Sequence, residues 1–144
     1  MMHLIGLAAF KAIIYVLVVI SLYYTVQIGR LGRAMTRSRR GLEFNDQFTR
    51  HRLKVNKLML TTAATVAVVL GFAVVLPDLQ NRPGIFLVHL RLFAVPFAVM
   101  LPLVAFGING KRFRKAHRFF GWPVLGLSVG TNILGAYMAL LLPW

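Results

Sequence analysis

Residues 111–142 read KRFRKAHRFFGWPVLGLSVGTNILGAYMALLL. Five cations, Lys111, Arg112, Arg114, Lys115 and Arg118, open the stretch, and the 24 residues of 119–142 carry no charge. A helix rising about 1.5 Å per residue crosses the roughly 30 Å hydrocarbon layer of a bilayer in about 20 residues. The stretch therefore reads as a membrane span, 122–142, with a basic lead-in. Working outward, three more runs qualify: 4–28, 58–76 and 85–108. The whole chain agrees with this reading. Of its 144 residues 58% are apolar and 14% are charged, against about 45–50% and about 25% in a soluble domain. The expectation is an all-α protein, an integral membrane four-helix up-down bundle forming one domain.

The cations settle the expected orientation. Lys and Arg number 17 against 3 Asp and Glu. Nine of them lie between Gly29 and Lys57 and five between Lys111 and Arg118, whereas the loop 77–84 carries only Asp78 and Arg82. The positive-inside rule puts both basic loops in the cytoplasm and both termini outside. Lys11, near the end of the first span, is expected to snorkel to the headgroups. That span has no basic region ahead of it and no small-residue cleavage site, so it reads as a retained helix.

Segment 29–44 is expected to be a basic linker. From Asn45 onward, Phe48, His51, Val55, Leu58, Thr62, Thr65 and Val69 recur at three-to-four spacing, which predicts a helix. It would start near Asn45 or Asp46, either of which could cap it, and project about two turns beyond the hydrocarbon. Anionic lipid headgroups are the expected partners of the cations at 33–40. Topogenesis accounts for the basic balance and the aromatics fall within the spans, so no nucleic-acid partner is expected.

The chemistry rests on histidines. The chain has no cysteine, which removes disulfides, thiolate metal sites and cysteine nucleophiles. No paired carboxylates occur in the spans, and no Gly-rich phosphate loop, HExxH or GxSxG is present. His51 falls in the cytoplasmic turns of helix two, and His117 opens helix four. An up-down bundle sets those helices diagonally across its centre. Two neutral imidazoles at one depth can serve as axial ligands of a haem iron. Gly121, Val124, Ser128, Thr131 and Gly135 continue the face of His117 as a stripe of mostly small side chains. Thr62 and Thr65 do the same on helix two. Arg50, Arg52, Lys54, Lys115 and Arg118 could hydrogen-bond haem propionates. A small-residue stripe also serves close helix packing, so the residues alone leave both uses open.

His89 lies about two turns into helix three from its outer end. Arg91 is about 200° around the same helix and is expected to reach outward to headgroups. His3 could face His89 as a second ligand pair. Asn132, near mid-span, is expected to tie helices together. Pro96 and Pro102 can bend helix three.

From His51 to Met138 the pattern resembles the small four-helix membrane cytochromes of the cytochrome b561 type. It also resembles a group of short bacterial four-helix proteins, some of which assist cytochrome oxidase assembly. The residues that carry the likeness are His51 with Asn56-Lys57-Leu58-Met59-Leu60, His89, and Ala116-His117-Arg118-Phe119-Phe120-Gly121-Trp122. The resemblance implies that His51 and His117 share one haem b and that His89 matches a ligand of a second. The fourth ligand of that family has no counterpart, since no histidine follows His117. The functional expectation is a bis-histidine haem b protein of the bacterial inner membrane. It would exchange electrons with a respiratory partner or quinone, as a carrier more than a stand-alone enzyme. The alternative is a cofactor-free accessory or assembly subunit of a larger respiratory complex.

Overall fold

The computed structural model describes residues 2–37, 42–75, 89, 91, 94–106 and 114–141. Four helices account for nearly all of them: α1 (Met2–Arg37), α2 (Leu42–Val75), α3 (Val95–Phe106) and α4 (Arg114–Leu141). Among the described residues three helical stretches, Ile5–Arg37, Leu42–Phe72 and Phe119–Leu141, are long and apolar enough to cross a membrane. The loop 77–84, residues 85–88 of the third expected span, and Arg39, Arg40, Lys111 and Arg112 lie outside the described set. So do the side chains of His3, Lys115 and Arg118.

The expected linker 29–44 is largely helical. Arg30, Leu31, Arg33, Ala34 and Met35 are good helix formers, and Arg37 in the last turn of α1 complements the helix dipole. The helix therefore outruns its apolar stretch. In the same way α2 begins at Leu42, with Glu43 in its first turn. Gln47 donates to Glu43 Oε1 at 2.9 Å, and the Arg50 Nε lies 2.9 Å from Asp46 Oδ2. Such pairs one turn apart support a helix from its surface. Asn45 and Asp46 thus lie inside α2 and do not cap it.

Packing follows a closed order. Helix α1 lies against α2 and α4, and α3 lies against α2 and α4. Among the described residues the backbones of α2 and α4 are not neighbours. Along the α1–α4 seam, contacts pair Tyr15 with Ala136, Ser21 with Asn132 and Thr25 with Ser128. One number rises as the other falls, so the two helices run antiparallel. Contacts of Phe10 with Phe72 and of Ile28 with His51 make α1 and α2 antiparallel too.

Two apolar clusters fill the interior. Leu7, Phe10, Ile14, Val18 and Ala139 form one, backed by Phe72 of α2. Ile28, Val55, Leu58, Phe97, Leu101 and Val124 form the other, to which all four helices contribute. Between them lies a polar rung. Thr25 Oγ1 and Ser128 Oγ are 2.7 Å apart, and Asn132 Nδ2 donates to Ser21 Oγ at 2.9 Å. All four side chains are buried. Asn132 thus ties α4 to α1, as its mid-span place suggests.

Lys11 corrects an expectation. It is 2% exposed and sits on the inner face of α1 between Leu7 and Ile14, where snorkelling outward is closed to it. Its neighbours Phe10 and Ile14 pack in the first cluster, and that rotation turns the stem inward. Ahead of Pro96 the backbone opens to π-type turns at Arg91 and Ala94, as happens where a proline removes a helical donor. Arg91 is exposed while His89 is half-buried, in keeping with their angular separation.

Candidate functional site: two imidazoles from opposite helices

The face of α2 that carries Val55 and Leu58 into the core also carries His51, one and two turns earlier. His51 is 5% exposed. On α4, Val124 enters the same cluster, and His117 lies seven residues before it on the same face. The two side chains meet across the centre. Their ring centroids are 6.1 Å apart with planes at 83°, although their parent helices are not backbone neighbours.

That separation has chemical content. With metal–nitrogen bonds of about 2 Å, two imidazoles at this separation could both reach one metal ion. The His51 ring lies near the backbone of Ile28 on α1. Its Nδ1 is buried with no hydrogen-bond partner among the described residues. A neutral imidazole has one donor and one acceptor nitrogen.

A Cβ at Gly121, one turn after His117, would meet nothing within 4 Å. The next turns inward are the apolar Ile28, Val55, Leu58 and Val124. Among the described residues no group of three or more His, Asp or Glu could hold a metal ion.

The other expected site residues distribute differently. Arg50 engages Asp46 on its own helix, at 3.1 and 2.9 Å from the two carboxylate oxygens. Arg52 is exposed. The Lys54 ammonium lies 5.6 Å from the ring centres of both Tyr23 and Tyr24, which spans the α1–α2 junction. Thr62 and Thr65 donate to carbonyls of their own helix at 2.9 and 2.8 Å. His89 is remote from the pair. Its Cε1 and Nε2 face Gly135, 3.7 and 3.8 Å from where a Cβ would stand, and Gly135 is five full turns, about 27 Å, beyond His117.

Sequence reasoning missed the approach of Ile28 to His51, because nothing in the sequence marks which turn of α1 faces a given turn of α2. It also missed Arg33, whose guanidinium carbon lies 5.3 Å from the Trp122 ring centre. Searches of known protein families, curated proteins and solved structures found no match to this chain.

Proposed function

We propose that the chain is a four-helix up-down membrane bundle that holds one haem b between His51 and His117 near the inner leaflet. Its termini face outward, its basic ends face the cytoplasm, and its host membrane is a bacterial inner membrane. The observation that carries the reading is the convergence of two imidazoles, 6.1 Å between centroids, from helices whose described backbones are not neighbours. A bare divalent ion commonly takes four protein or water donors. Two imidazoles suit a metal whose remaining donors come with it, as in a porphyrin. The likeness to the cytochrome b561 type points the same way, whereas the likeness to short assembly-factor-like proteins belongs with the accessory-subunit alternative.

The membrane part of the proposal rests on the outer faces. Val16, Val19, Leu60, Leu70, Ile133 and Leu140 are each more than half exposed. Soluble proteins seldom expose apolar surface so extensively. Helices that satisfy their own backbone groups can present such faces to lipid.

When bound, the haem would supply reversible one-electron chemistry, exchanging electrons with a respiratory partner or quinone. The residues have the remaining tasks. His51 and His117 would fix its place. Ile28, Val55, Leu58 and Val124 keep the inner side dry. Arg52, Lys54, Lys115 and Arg118 offer countercharge for propionates.

The test is a reduced-minus-oxidised spectrum of protein purified in detergent. Sharp α and β bands are expected, absent from both His51→Ala and His117→Ala. A colourless, folded wild-type protein that co-purifies with a large membrane complex would reject the haem and select the accessory-subunit reading.

A further inference from the structure

The exposed face of α1 changes character along its length. Tyr23 and Val26 are each 51% exposed, and at the same three-to-four spacing they are followed by exposed Arg30, Arg33 and Arg37. These three cations fall within about 60° of arc and span about 10 Å along the axis. Neither α1 nor α4 contains a carboxylate. Against this stripe stands Trp122 of α4, itself 53% exposed, with the Arg33 guanidinium carbon over its ring, 5.3 Å from the centroid.

A guanidinium held over an aromatic ring by cation–π attraction spends none of its five N–H donors on that contact, and they remain for an anion. The contact also limits the freedom of a long side chain, so less entropy is lost when an anion binds. A phosphate is the anion that matches this planar fork. Because the cations continue directly from an apolar, lipid-facing stripe, the ligand must combine a phosphate with hydrocarbon chains.

The geometry points to a binding site for an anionic phospholipid at the inner end of the α1–α4 seam. Its phosphate engages Arg33 and the neighbouring Arg30 or Arg37, and its chains lie along Val26, Tyr23 and the Trp122 ring. The inference rests on the membrane reading above and deepens it from general attraction to a located site. It does not depend on the haem.

Trp122 is itself the reporter. The chain has two tryptophans, so a Trp144→Phe background leaves Trp122 as the sole emitter. The full-length protein in nonionic detergent micelles is titrated with phosphatidylglycerol, with phosphatidylcholine of the same acyl chains, and with inorganic phosphate. Phosphatidylglycerol is expected to shift Trp122 emission at lower concentration than phosphatidylcholine, with inorganic phosphate inert and added salt narrowing the gap. Arg33→Gln should reduce the preference about fivefold, corresponding to about 1 kcal/mol per cation at a membrane surface. Arg30→Gln, which leaves the Arg33–Trp122 contact intact, should reduce it similarly and covers the case in which Arg33→Gln does not fold. His51→Ala should respond to lipid as the parent does, so the haem reading and this one fail separately. Coincident titrations of the two lipids, an equal response to inorganic phosphate, or an undiminished preference in both arginine variants would overturn the site.

Discussion

At His51 the chain accepts a local cost. A buried acceptor without a partner costs about 1–3 kcal/mol, and Nδ1 of this 5%-exposed ring is in that position. If the ring is there to hold a metal, an apolar ring of similar size should serve the cofactor-free fold nearly as well. His51→Phe is therefore expected to leave thermal stability of cofactor-free protein within about 1 kcal/mol of the parent while removing the haem bands. A loss of about 3 kcal/mol or more in detergent unfolding would instead mark His51 as a packing residue. Gly135 poses a different question. A methyl there would make ordinary contacts with His89, at 3.7 and 3.8 Å, so Gly135→Ala should be neutral or mildly stabilising through helix propensity, by up to about 1 kcal/mol. Gly135→Leu must displace the imidazole and should cost about 1–3 kcal/mol. Thermal melts of the two variants check both, with the spectrum at the distant His51–His117 pair unchanged. His51 and His117 were legible in the sequence because residue type and shared depth were enough to pair them. Arg33 on Trp122 was not, because that contact depends on the rotation and register of α1 against α4, which hydropathy leaves open. Lys11 was misread for the same reason: its depth was plain, but the direction its helix faces was not.

For the elements, length and register have separate causes. Hydropathy located the apolar parts of α1, α2 and α4 but misjudged their ends, since Arg-rich and Glu-containing turns are polar yet excellent helix. That is why 29–37 and 42–44, read as linker, belong to helices. Register along α1–α4 comes from the rung of Ser21, Thr25, Ser128 and Asn132. Each member has its partner at 2.7 or 2.9 Å between two apolar clusters that could slide without it. Hydrogen bonds between membrane helices average about 0.6 kcal/mol and reach about 1.7. Asn132→Ala, Ser21→Ala and the double variant should give a coupling energy of about 0.5–1.5 kcal/mol in a double-mutant cycle of detergent unfolding. Additive effects would mean that apolar packing alone sets the register, and the arginine–tryptophan contact farther along would then lose its physical origin.

Across the whole molecule, the proposals share one orientation. Among the described residues Arg30, Arg33, Arg37, Arg50, Arg52, Lys54, Lys57 and the histidine pair lie at one end, with Lys11 and His89 toward the other. The natural absence of cysteine makes this end-to-end polarity directly measurable. Thr36 is exposed in the last turn of α1, and Asp78 belongs to the loop expected outside. In intact bacterial cells, a membrane-impermeant maleimide should label Asp78→Cys promptly and reach Thr36→Cys only after permeabilisation. The positive-inside rule demands this order, because moving the fourteen basic-loop cations across the membrane against its potential would cost about 2 kcal/mol per charge at 100 mV. Reversed labelling would put the histidine pair on the outer side, and its exchange partner would have to be sought there. Labelling of both in intact cells would mean that the helices do not span the bilayer. In that case the exposed apolar faces would belong to a protein interface, and the accessory-subunit reading would gain what the membrane reading lost.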